Sequence, residues 1–156
     1  MQVRLAVPDE AEECWQIRNQ AIRYGCRESY DASVINAWTP DKMPESYPMV
    51  ITDHPFFVID GPEGQPVATG YLDVTAGSVE AVFTLPAFVG RGMASLIIET
   101  IKQEAKARGF TRITLCSTPN ASGFYQKQGF SVLGQNGYPS KLAQTHLHCL
   151  DMFILL

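Results

Sequence analysis

The sequence predicts a single α/β (α+β) domain on a mixed sheet, mostly antiparallel in its first half. Three observations carry this. Its 156 residues suit one core and leave little room for a second. Strand-sized apolar runs punctuated by tight-turn residues follow one another from Phe56 to Leu85, as in a meander. After Ser78, strands alternate with helical segments, as in strand–helix–strand units.

In chain order, Gln2–Val7 alternates polar and apolar residues and reads as a short strand. Asp9 followed by Glu12 has capping-box spacing. The helix behind it puts Ala11, Cys14, Trp15 and Ile22 on one face and ends near Gly25. A second short helix runs from Asp31 to Trp38 and stops before Pro40. From Thr39 to Pro55, prolines and aromatics interrupt any period, and the segment reads as loop. Phe56–Asp60 and Val67–Val74 are strands joined by the turn Gly61-Pro-Glu-Gly64, and Ala76-Gly77 turns into a third, Ser78–Leu85.

Gly92–Arg108 is the clearest helix: Ala94, Ile97, Ile98, Ile101 and Ala105 form a stripe, with Gly109 just past its end. Arg112–Cys116 is short and nearly all apolar, as a central strand should be. Thr118 offers an N-cap with Pro119 behind it, for a helix ending at Gly129. Phe130–Gly134 and His146–Leu155 are the closing strands. No repeat or linker divides residues 1–156, so one domain is expected.

Charge and composition narrow the function. Net charge is −4, and the 12 basic residues form no run, which argues against nucleic-acid binding. No apolar stretch approaches the roughly 20 residues of a membrane span, and the first residues turn acidic before a signal-peptide core could form. A cytoplasmic protein is the expectation. Cys14, Cys26, Cys116 and Cys149 are far apart and form no C-x-x-C pair, so reduced, mostly buried thiols are expected and zinc is not. His146 and His148 share a strand face, but no third ligand accompanies them, and no metal is expected.

Two segments carry chemistry. Val89-Gly-Arg-Gly-Met-Ala-Ser95 lies between a strand and the long helix, where glycines expose backbone N–H groups beside the positive end of a helix dipole. That is a cradle for phosphate oxygens, or an ordinary tight turn. The lysine of a nucleoside-triphosphate loop is absent, and so is the third glycine of a dinucleotide fingerprint. In the second segment, Thr118, Ala121 and Tyr125 fall on one helical face. That face offers a hydroxyl, a small residue and a phenol able to donate a proton. Tyr125 as an amphipathic core residue is the competing reading.

Together these residues resemble the GNAT superfamily of N-acetyltransferases, over nearly the whole chain. The family's loop [Gln/Arg]-x-x-Gly-x-[Gly/Ala] is matched at Gly92 and Ala94, with Val89 where Gln or Arg is usual. Its later motif Ala-x-x-[Phe/Leu]-Tyr-x-x-x-Gly-Phe is matched from Ala121 to Phe130, while Thr118 stands where Asn is frequent and Asn120 lies close by.

The resemblance implies a GNAT-like sheet split near its centre, between Ser78–Leu85 and Arg112–Cys116, with helices on both faces. It implies acetyl-CoA as co-substrate. The loop Val89, Gly90, Arg91, Gly92, Met93, Ala94 and Ser95 would hold its phosphates, Phe83, Thr84 and Leu85 its pantetheine arm, with Thr118 and Asn120 alongside. A backbone N–H near Thr84 or Leu85 would stabilise the oxyanion. Glu80 would take the amine proton and Tyr125 would protonate the departing thiolate. Tyr30, Trp38 and His54 would line the acceptor side. The expected activity is N-acetylation of a primary amine, on a small molecule or a peptide. A non-catalytic acyl-CoA-binding module of the same fold is the alternative. No nucleic acid or membrane partner is expected, and a homodimer is left open.

Overall fold

The computed structural model describes residues 1–156. Along the chain its strands are β1 (Val3–Leu5), β2 (Phe56–Asp60), β3 (Pro66–Asp73), β4 (Ser78–Thr84), β5 (Arg112–Ser117), β6 (Ser131–Ser140) and β7 (Thr145–Leu155). Its helices are α1 (Ala11–Gly25), α2 (Ala32–Trp38), α3 (Tyr47–Asp53), α4 (Met93–Ala107) and α5 (Ser122–Lys127). The strands form one sheet in the order β1-β2-β3-β4-β5-β7-β6. Every neighbouring pair is antiparallel except β4 and β5.

Strand alternation distributes the core over both faces. Phe57 and Ile59 of β2 join Ile97, Ile98 and Ile101 of α4 in the main core. Phe56 and Val58 turn the other way, onto Ala11 and Cys14 of α1 and Ile51 of α3. The expected mixed sheet with helices on both faces is therefore observed. No helix is long and apolar enough to cross a membrane.

Three local expectations are corrected. The turn after β1 is a 3-10 segment, Pro8–Glu10, and Glu10 rather than Glu12 accepts a backbone N–H, from Val7 at 3.0 Å. Arg4 explains the shift: it holds Glu10 at 2.6 and 2.9 Å and Asp60 at 2.9 Å, so one guanidinium ties β1, this turn and β2. Inside the expected loop Thr39–Pro55 lies helix α3. Pro48 sits in its first turn, where a missing N–H costs nothing, and burial of Ile51 selects the helix without any long period. Finally, β6 does not stop at Gly134. A bulge at Leu133 resets the register and pairing with β7 continues to Ser140↔Thr145. Pro139 is tolerated because β6 is the sheet edge.

The contact between α4 and β3 is close enough to constrain one position. A Cβ on Gly70 would lie 2.5 Å from Ile97 Cγ2 and 3.3 Å from Ile101 Cδ1. Gly70→Val should therefore destabilise by about 1–3 kcal/mol through overpacking, lowering the melting midpoint by roughly 2–4 °C per kcal/mol. A thermal scan with an unchanged midpoint would show that α4 does not bear on β3 there.

Candidate active site

The site begins where the parallel pair fails. β4 and β5 share one bridge, Ser78↔Thr114, with the Thr114 N–H donating to Gly77 O at 3.1 Å. Beyond it the two strands part, at the place expected for the split. A bulge in β4 accompanies the parting: Thr69 faces Phe83 and Tyr71 faces Glu80, so Gly70 alone opposes both Ala81 and Val82. Ala81 takes φ 53°, in the left-handed region, and its carbonyl accepts the Thr69 hydroxyl at 2.8 Å. Bulges bend and twist a strand, which turns β4 away from β5.

Backbone polarity along this edge follows from one bond. The Leu85 N–H donates to Val67 O at 2.9 Å, so alternation turns the backbone groups of Thr84 away from β3 and toward the gap. This corrects the expectation for Leu85: its N–H is committed, and its side chain packs against the α4 core rather than lining the gap.

Next to the gap stands the glycine loop. After the short turn Pro86–Phe88, Gly90 and Gly92 adopt φ 78° and 81°, and a Cβ on either would meet nothing within 4 Å. None of the N–H groups from Gly90 to Ser95 donates to a backbone carbonyl. The side chains contribute less. Arg91 stacks on Phe88 at 5.0 Å, Met93 is buried in the core, and the Ser95 hydroxyl accepts Gln128 Nε2 at 3.0 Å. What the loop presents is a row of unpaired N–H groups at the positive end of α4, a setting for anionic oxygens. Ala94, the second residue of α4, is half-buried.

The gap opens into a cavity of about 650 Å³. Phe83, Thr84 and Val89 line it from one side, Thr118, Asn120 and Tyr125 from another, with Glu80 in the wall. Tyr30 and Trp38 line it as well, held edge to face at 5.7 Å, and the Tyr30 hydroxyl donates to His148 O at 2.6 Å. Gly90 through Ser95 lie outside the lining, and of these Gly90, Arg91 and Gly92 are exposed. His54 lies outside it too, against expectation. It follows α3 directly, its Nδ1 accepts the Val74 N–H at 3.2 Å, and its ring lies 5.5 Å from that of Tyr71, behind the wall.

The helix expected from Thr118 is also corrected. Pro119–Ala121 is a 3-10 turn, α5 proper begins at Ser122, and Thr118 makes no side-chain cap. Thr118, Ala121 and Tyr125 nevertheless all face the cavity. Asn120 Oδ1 is shared by Cys26 Sγ and Ser29 Oγ, each at 3.5 Å, which ties this turn to the end of α1.

Both ionisable groups expected to carry chemistry are shifted. Glu80 is half-buried. Burial pushes its carboxyl above the ordinary range, and Asp73 adds to this, while the Ser78 hydroxyl, donating at 3.1 Å, and His54 act against it. Tyr125 packs edge to face on Phe124 at 5.2 Å and Phe130 at 6.0 Å. Burial first, then the charge of Glu80, raises its phenol, so it keeps its proton near neutral pH.

Several wall residues were not singled out from the sequence, among them Arg18, Tyr71 and Tyr138. Only Arg18 left a usable trace: a cation three residues after Trp15 and four before Ile22, on the apolar face of α1. The cysteines need a correction. Cys116 and Cys149 are disulfide-bonded, with Cα atoms 6.1 Å apart, while Cys14 and Cys26 are free and buried. Cys116 lies opposite Asp151 in the β5–β7 register, so Cys149 is two residues along the same face. A separation of 33 residues hides this adjacency from the sequence.

A family model described as "Acetyltransferase (GNAT) family" matches residues 19–130. The GCN5-related N-acetyltransferase (aminotransferase, class-II) of Rhodopseudomonas palustris superposes with TM-score 0.90, at 20% identity, over 99% of this chain and 95% of that one. The PaiA N-acetyltransferase of Thermoplasma acidophilum, solved with coenzyme A, superposes with TM-score 0.79, at 16% identity, over 99% and 98%. In sequence, Bacillus subtilis YyaT is 29% identical over 75 residues, which is 47% of this chain and about half (51%) of that protein.

The bonded pair gives the test here. Alkylation of the denatured, unreduced protein should label two cysteines, Cys14 and Cys26, and all four after reduction. Four labels without reductant would show the β5–β7 pair to be open.

Proposed function

We propose, since this chain belongs to the acetyltransferase (GNAT) family, that it moves an acetyl group directly from acetyl-CoA to a primary amine. The carrying observation is the gap between β4 and β5 with the row of unpaired N–H groups from Gly90 to Ser95 beside it. That row suits the diphosphate of a CoA ester, and the gap suits a slender arm that adds to the β4 edge at Thr84.

The chain's own groups then divide the work. The amine must lose a proton before its lone pair can attack the thioester carbonyl, and Glu80 accepts that proton, directly or through water. Its raised pKa brings the carboxylate closer to the amine in basicity, so the transfer costs less. As the carbon–sulfur bond breaks, the electron pair leaves on sulfur and Tyr125 gives the thiolate its phenolic proton; the newly acylated nitrogen sheds its extra proton through water, which restores the phenol. The Thr84 N–H faces the gap and is the candidate donor to the carbonyl oxygen as it becomes an oxyanion.

Cofactor binding is tested first. Acetyl-CoA at about 100 times its dissociation constant should stabilise the fold by about 2.7 kcal/mol, a shift of several degrees. Gly92→Glu, which puts bulk and negative charge on the loop at a left-handed position, should abolish the shift. Absence of any shift in the wild type would sink the proposal.

Catalysis is tested by single turnover from pre-bound acetyl-CoA across pH. Because Glu80 titrates above the ordinary carboxylate range, the wild-type rate should rise with pH through that titration and then level. Glu80→Gln should be slower by roughly 10²–10⁴-fold near neutral pH and recover partly as the amine deprotonates unaided. Tyr125→Phe should lose roughly 10²-fold with little change in cofactor affinity. Equal single-turnover rates for a variant and the wild type would remove that residue from the chemistry.

A further inference from the structure

The cavity wall carries only two charged side chains, Glu80 and Arg18, among residues that are mostly apolar. Arg18 is half-buried on α1, with its guanidinium carbon 4.3 Å from the centre of the Trp15 ring and 5.8 Å from that of Trp38. Its Nη1 donates to Asn19 Oδ1 at 2.8 Å and to Trp38 O at 3.0 Å. Those two bonds fix the plane of the group and use one nitrogen. Nε and Nη2 donate to nothing in the protein, and none of the ion pairs of the fold includes Arg18. Burial draws its pKa down to about 10, so the group stays charged near neutral pH, desolvated and without a counterion.

A desolvated cation fixed by two hydrogen bonds beside two aromatic rings, with one side of its fork unused, is arranged for a planar anion. Side-on pairing of Nε and Nη2 with two oxygens is the geometry by which arginine takes a carboxylate. We infer that the acceptor is an amine bearing a free carboxylate on an apolar body, the carboxylate held by Arg18 and the amine turned toward Glu80. This rests on the acetyl-transfer reading and names its substrate class. Tyr138 lines the same wall; burial raises its phenol, Glu80 adds to this and Arg18 opposes it. The same wall disfavours polycations such as polyamines or aminoglycosides, which need several carboxylates and here meet one, together with a positive charge.

Three matched pairs test this: L-leucine, L-phenylalanine and 4-(aminomethyl)benzoate, each against its primary amide. Turnover is read as CoA thiol release. Binding of the N-acetylated acid and amide is read separately by calorimetry, on CoA-loaded and free protein. In at least one pair the acid should exceed the amide by roughly tenfold or more, in kcat/KM and in affinity. Arg18→Met should bring that ratio to about one, and Arg18→Lys, which keeps the charge without the fork, should retain part of it. Melting midpoints and acetyl-CoA binding report whether the variants fold. Acid-to-amide ratios near or below one in every pair, a preference that survives Arg18→Met, or no acid bound or acetylated at all, each overturns the inference. In those cases an intact acetyl-CoA shift leaves the acetyl-transfer reading standing. If acetyl-CoA itself fails to bind, that reading falls, and calorimetry on free protein still decides whether Arg18 selects carboxylates.

Discussion

β4 and β5 are parallel strands that touch at Ser78 and Thr114 and are then held apart by their other neighbours. A parallel pair in mid-sheet would ordinarily bury its ladder completely. Here β4 is fixed on one side by β3, and β5 is fixed on the other by β7, through six consecutive pairings from Arg112↔Leu155 to Ser117↔Leu150. Neither can swing back to close the gap without breaking a ladder it already has. The cavity and the wall position of Glu80 follow from that opening, and so does the lack of a strand partner for the backbone of Thr84, which register with β3 has already turned outward.

Electrostatics inside the gap reinforce the geometry. The apolar surroundings that raise Glu80 also raise Tyr125, and the two shifts have opposite chemical meaning. One makes a carboxylate a better base, the other keeps a phenol protonated. The charge on Glu80 reinforces the second, because it further disfavours a phenolate at Tyr125. A site with so few charges leaves each of them poorly screened.

Much of this was legible in the residues. The stripe on α4, the glycines at 90 and 92 and the run from Ala121 to Phe130 carry local signals, and each lies where periodicity and turn chemistry put it. What stayed hidden depends on distant pairing. The bulge at Ala81 has no glycine to mark it. The bond from Leu85 to Val67 is settled by register, and the meeting of Cys116 with Cys149 by the order of three strands. Helix α3 forms because Ile51 has a place to bury, which no reading of Tyr47–Asp53 alone supplies. His54, expected on the acceptor side, is carried behind Tyr71 by the same helix, which no local signal announces.

Ala81 has one further consequence. A residue with a side chain in the left-handed region costs on the order of 1–2 kcal/mol, borne continuously by the folded state. Deleting one residue from β4 would give a more regular ladder, and the tidier sheet would have less reason to bend away from β5. Regularity and access are therefore opposed in this strand. A redesign scored only for thermal robustness would be drawn toward mending the defect, and its success would be a sealed cavity.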